Sequence, residues 1–108
     1  MLKYPRRCLI KSMADAKSKK LSRIFKVLSV DNRVRMIELL KSRSLCVNAL
    51  ARELNLTPAA VSQHLRVLRD CEIVTAEKKG YYVHYRVNDK VLKNWRKMAD
   101  ELLQRDDG

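Results

Sequence analysis

The chain has 108 residues, 46% of them hydrophobic, and its Lys and Arg outnumber Asp and Glu by 24 to 12, a net charge of +12. That length suits one domain able to bury roughly two-thirds of its extended surface without staples, and the charge points to a polyanionic partner, nucleic acid first. Cys8, Cys46 and Cys71 are an odd number without close pairing, which argues against a disulfide scaffold and for a reducing, cytoplasmic setting.

No apolar run approaches the roughly 18 residues of a membrane span, and the start MLKYPRRCLIK lacks the apolar core of a secretory signal. No membrane partner is therefore expected. An enzyme is disfavoured as well: the chain has two histidines, no Gly-rich phosphate loop and no paired carboxylates converging on a pocket.

Residues 1–26 carry nine basic side chains against the single acid Asp15. That basic run is either a solvated tail or a phosphate-contacting arm, and residues 1–12 within it, which have no usable periodicity and contain Pro5, are predicted to be a flexible basic arm. Residues 13–108 are then the folded domain. Met13, Leu21, Ile24, Phe25 and Leu28 fall at helical spacing and predict helix one over 12–28. Asp31 is placed to cap helix two, whose apolar face takes Val34, Ile37, Leu39, Leu40 and also Met36.

After a short connection with room for a minor strand at 42–47, Asn48 is placed to cap helix three, where Leu50, Ala51 and Leu54 repeat at three and four. Asn55 tolerates the left-handed conformation that ends a helix, Thr57 is a preferred N-cap, and Pro58 suits the first helical position. Stop, turn and restart are thus specified within four residues. In helix four Val61, Leu65 and Leu68 form the buried stripe, with Ala59, Gln63, Arg66 and Asp70 nearly opposite, Ser62 and Arg69 on one flank, and His64 and Cys71 near the core edge.

From Ile73 the period changes to alternation, predicting a β-hairpin: Ile73 to Lys78, a turn at Lys79-Gly80, then Tyr81 to Val87. Val83, Tyr85 and Val87 share one face, and Tyr82, His84 and Arg86 the other. Asn88 or Asp89 caps a last helix with a stripe of Val91, Leu92, Trp95, Met98, Ala99, Leu102 and Leu103. The fold class is mostly α with a small hairpin wing, in the order α-α-α-α-β-β-α: a winged helix-turn-helix.

A helix fits the major groove, and this motif sets the N-terminal part of its second helix against base edges. That singles out Thr57, Ala59, Ser62, Gln63 and Arg66, with Arg69 on the flank. Gln can bond an adenine edge and Arg a guanine edge in bidentate fashion, while the Ala59 methyl can meet a thymine methyl. The competing reading is an ordinary solvated helix face. His64 is better placed for packing or a phosphate than for a base.

On the wing, Lys78, Lys79, Tyr82 and Arg86 would contact backbone phosphate or the minor groove, whereas Tyr81 and Tyr85 would anchor the hairpin. One reading helix is a small footprint, so two copies on successive major grooves are expected. Leu21, Ile24 and Phe25 of the first helix, with Leu92, Trp95, Met98, Ala99 and Leu102 of the last, could form an isologous homodimer interface. Alternatively, both helices only close their own core. The rival function is a basic winged-helix module that binds DNA or RNA by shape, without an inducer.

The segments Asn32–Leu40, Leu56-Thr57-Pro58, Ser62-Gln63-His64-Leu65, Val67-Leu68-Arg69, Cys71–Val74 and Lys79–Val87 together resemble the ArsR/SmtB-type family of winged-helix repressors, over roughly Ser22 to Leu103. The resemblance implies a homodimer paired through the first and last helices, a palindromic double-stranded DNA operator, and release by a metal ion or other signal. The chain departs from the family's thiol motif: Cys46-Val47-Asn48 stands where Cys-Val-Cys is usual. The His/Asp pattern of the last helix is also missing, since no histidine follows His84. Cys8 could approach Cys46 to give a two-thiolate site for a soft metal or metalloid ion, or for oxidation; free, partly buried thiols are the plainer reading.

Overall fold

A computed structural model describes the backbone of residues 4–105 and the side chains of residues 15–105. The elements follow the expected order: α1 Tyr4–Val27, α2 Asp31–Ser42, α3 Val47–Leu54, α4 Pro58–Asp70, β1 Val74–Lys79, β2 Tyr82–Val87 and α5 Asp89–Leu103. The first helix starts earlier than the predicted residue 12 and runs across the expected boundary between arm and domain. Pro5 does not prevent this, because it falls in the first turn, where a missing N–H leaves no bond unmade.

The core is a single cluster to which every helix and both strands contribute, from Leu21, Ile24 and Val27 of α1 to Trp95 and Met98 of α5. In α2 the buried residues are Met36, Ile37 and Leu40. The apolar face is therefore rotated from the predicted one, since Met36 is wholly buried while Val34 is exposed. Asp31 is not the N-cap of α2. Val30 holds that position without a side-chain cap bond, and Asp31 stands in the first turn, where its carboxylate meets the positive end of the helix dipole.

Asn48 is likewise displaced from its expected capping position. The N-cap of α3 is Cys46, again without a side-chain bond, and Asn48 lies exposed inside the helix. The cause is tertiary. Leu45 forms a bridge with Tyr85 of β2, each N–H donating to the other's carbonyl at 3.0 and 2.8 Å. The chain is pinned to the wing at that point, and the helix starts as soon as the bridge ends.

The two helices of the motif end in the same way. Asn55 and Glu72 both adopt positive φ, at 55° and 64°. After α3 the Leu56 N–H donates to Ala51 O (3.0 Å) and the Asn55 N–H to Arg52 O (3.4 Å); after α4 Ile73 N–H donates to Leu68 O (3.1 Å) and Glu72 N–H to Arg69 O (2.9 Å). Each is a Schellman arrangement, which satisfies carbonyls that the helix leaves orphaned. The second delivers Ile73 into the core directly after α4, fixing where the wing begins. Between the helices, Thr57 Oγ1 accepts the Ala60 N–H at 3.1 Å with Pro58 at the first helical position, as the sequence predicts.

The hairpin is antiparallel, and its loop is Gly80-Tyr81, one residue later than predicted. Its register is held by Val74 opposite Val87, both buried; counting outward from that pair leaves Gly80, with φ +65°, as the first loop residue. Glycine reaches this conformation without the Cβ clash other residues meet. The predicted caps Asn55 and Asn88 are both present, Asn88 Oδ1 accepting from the N–H groups of Lys90 and Val91.

Glu72 occupies the left-handed position that glycine fills most easily. Relief of a strain of about 1–2 kcal/mol, less the extra unfolded-state entropy of glycine, about 0.4–1 kcal/mol, gives an expected net stabilisation of Glu72→Gly of roughly 0.5–1 kcal/mol. Urea unfolding followed by circular dichroism measures it.

Candidate nucleic-acid interface

Helix α4 is buried along Val61, Leu65 and Leu68 and open on the other side. Ala59, Ser62, Gln63, Arg66 and Arg69 are all exposed there, as is Thr57 at its start. Thr57 is partly committed, because its hydroxyl oxygen accepts the cap bond and keeps one lone pair and its O–H for other partners. Ser62, Arg66 and Arg69 line a cleft of about 440 Å³ with Leu65, Asp70 and Tyr85. The wing forms the far wall of this cleft through Tyr85, so the Leu45–Tyr85 bridge holds that wall in place.

Of the wing residues singled out in the sequence, Lys79, Tyr82 and Arg86 are on the opposite face of the hairpin from Tyr85, and only Lys78 is on the Tyr85 face. Lys79 and Arg86 line a separate groove of about 210 Å³ with Lys41, Arg43 and Asp89. Lys78 shares its face with Val83 instead, beyond the buried part of the sheet. Tyr81 does not anchor the hairpin as expected. It is 98% exposed at the tip, because the one-residue shift of the turn places it in the loop.

His64 is in the packed position. Its Nδ1 accepts from Arg33 Nε at 3.4 Å, and the same guanidinium donates through Nη1 to Val27 O at 3.3 Å. Arg33 thereby joins the end of α1, the start of α2 and helix α4. No periodicity marks Arg33, and only the three-dimensional packing brings it to His64. Burial and then the Arg33 charge hold His64 below its ordinary pKa, against an upward pull from Asp31.

Cys46 and Cys71 are free and half-buried. Cys71 Sγ donates to Leu68 O at 3.4 Å, and burial pushes its thiol pKa up, away from the thiolate that binds metal. The Cys8 side chain lies outside the described residues. Among those described, no group of three or more His, Cys, Asp and Glu could hold a metal ion.

The eight candidate pairing residues divide in two. Leu21, Ile24, Trp95 and Met98 are already buried in the protomer's own core. Phe25 and Leu102 are 39% and 55% exposed, and Leu92 and Ala99 are partly open. Phe25, Leu92 and Ala99 line an apolar groove of about 280 Å³ between α1, α2 and α5, together with Leu28, Val34 and Trp95.

The family model "Bacterial regulatory protein, arsR family" matches residues 31–76, from the start of α2 into β1. The arsenical resistance operon repressor of Staphylococcus aureus is 34% identical over 86 residues, which is 80% of this chain and 76% of that one. The chain belongs to the arsR family. This arsR-family protein is a DNA-binding transcriptional regulator and not an enzyme. A crystal structure of a possible transcriptional regulator for arsenical resistance aligns with a TM-score of 0.68 at 34% identity, covering 74% of this chain and 83% of that one. The homodimeric winged helix-turn-helix domain of Mb0332 from Mycobacterium bovis has the same fold, with a TM-score of 0.67 at 23% identity over 87% of this chain and 91% of that domain. Among the described residues no helix is long and apolar enough to cross a membrane.

A base with a lowered folded-state pKa binds more protons when unfolded near pH 6, so its contribution to stability is present above the unfolded pKa and is lost as pH falls through it. The melting temperature is expected to fall between pH 7.5 and pH 5.5 by more in the wild type than in His64→Gln. Equal falls in a calorimetric scan would remove the role assigned to the Arg33–His64 contact.

Proposed function

We propose that this arsR-family regulator is a cytoplasmic repressor that binds a palindromic operator as a homodimer and leaves it when a metal, redox or other signal arrives. The observation that carries the reading is α4, whose apolar stripe is fully engaged while Ala59, Ser62, Gln63 and Arg66 stand together in solvent. Such a face has the donor and acceptor types that distinguish bases in the major groove. Arg69, Lys78, Lys79, Tyr82 and Arg86 add phosphate contacts, which raise affinity without reading sequence. Thr57 fixes the N-terminal end of α4 and remains exposed there.

Pairing is assigned to the groove between α1, α2 and α5 and to Leu102 beyond it. Phe25, Leu92 and Ala99 are its open apolar residues, and the similarly folded Mb0332 domain is homodimeric. Two copies related by a dyad would set their α4 helices into grooves about 34–36 Å apart. Leu21, Ile24, Trp95 and Met98 act indirectly, by fixing the two helices that carry the open residues. For the release signal, Cys46 is the half-buried thiol that directly follows the wing bridge, and arsenite, cadmium, zinc and peroxide are the agents to try.

The reading is tested by titrating a palindromic fragment from the regulator's own promoter against random duplex and RNA at physiological salt. A repressor is expected to prefer its operator by about a hundredfold or more; equal binding would favour a shape-reading module. Gln63→Ala is expected to weaken operator binding by about 1–3 kcal/mol and to leave random-duplex binding nearly unchanged. Phe25→Asp is expected to yield monomers in sedimentation with an unchanged circular dichroism spectrum, and a surviving dimer would reject this interface.

A further inference from the structure

Helix α4 has two flanks, and the wing occupies only one of them. On the other flank lies a groove of about 580 Å³ between α1 and α4, lined by Lys19, Ser22, Arg23 and Lys26 of α1, Arg33 of α2 and Val67 of α4. Four of its lining side chains are cationic and none is acidic. Lys19, Arg23 and Lys26 are spaced at i, i+4 and i+7, which stacks them on one side of α1, while Leu21, Ile24 and Val27 turn into the core. None of the four cations is in an ion pair among the described residues. Such a concentration of like charge costs self-repulsion in the free protein and is relieved by a polyanion.

Its position specifies the polyanion. Val67 lies one turn after Gln63 on α4, so the groove opens beside the reading face. A helix about 10–12 Å across nearly fills a major groove about 12 Å wide, and it therefore meets a phosphate wall on each flank. We infer that the Lys19–Arg23–Lys26 face of α1 is a DNA-backbone contact that grips the phosphate strand opposite the one reached from the wing. The contact rests on α4 being the reading helix and adds a second wall to that site. Arg33 is a positioning residue here: its guanidinium is held by Val27 O and His64, and it keeps α1 at the distance that leaves the groove open.

The test compares the double variant Lys19→Gln/Lys26→Gln with Lys93→Gln/Lys97→Gln, which removes the same charge from exposed positions of α5. Binding of the promoter fragment and of random duplex is followed by fluorescence anisotropy across a salt series. Loss of two phosphate contacts per protomer is expected to make the slope of log K against log salt shallower by about 1.8 for each protomer bound. Affinity should fall by the same factor on both duplexes, and the preference between them should not change. The α5 variant should keep the wild-type slope. An unchanged slope in the α1 variant, or an equal change in both variants, would overturn the inference. Wild-type protein that failed to bind either duplex would overturn the DNA-reading assignment of α4 itself, and circular dichroism of both variants checks that they fold.

Discussion

Val61, Leu65 and Leu68 hold α4 by one side only, and the other elements depend on that attachment. A helix can offer polar groups to a groove only if its remaining surface is anchored firmly enough to keep those groups in register with base edges. The three side chains sit in a core built from every other element, and the restart at Thr57-Pro58 and the Schellman turn at Glu72 fix the two ends. Both the reading face and the start of the wing are therefore set by the placement of one thirteen-residue helix.

The wing is positioned at a second point as well. The Leu45–Tyr85 bridge couples β2 to the segment between α2 and α3, immediately before Cys46. A chemical event at Cys46 would therefore act on backbone that is hydrogen-bonded to the wall of the cleft beside α4. Tyr85 serves both sides of that connection, with its backbone in the bridge and the residue itself lining the same cleft as Ser62, Arg66 and Arg69.

Charge and packing share α1 and α5 between two tasks. In a domain of this size the core must borrow from its terminal helices, so Leu21, Ile24, Trp95 and Met98 close it and are not free to pair with another copy. The proposed pairing uses the residues on the shoulder of the same stripes that stay open, Phe25, Leu92 and Ala99. On α1 the remaining side carries the cations that flank α4. One helix thus presents a buried, an open apolar and a cationic side by rotation about its own axis.

The element order, the motif's stop and restart at Asn55, Thr57 and Pro58, the exposed residues of α4 and the Asn88 cap were legible in the sequence, because each depends on contacts within a few residues. The arsR-type resemblance was legible for the same reason, being carried by short segments. The Asn48 and Asp31 caps, the phase of α2, the hairpin turn and the division of wing residues between two faces were decided elsewhere. Helix α3 starts where a bridge to a strand forty residues later releases the chain, and the hairpin turns where the buried Val74–Val87 pair sets its register. The apolar stripes of α1 and α5 named Leu21, Ile24, Trp95 and Met98 but missed the buried Val27, and periodicity cannot tell a side chain covered by its own protomer from one left for a partner. Arg33 meeting His64 across thirty-one positions and the basic groove beside α4 required the helices to be packed, since they join residues that no local pattern connects.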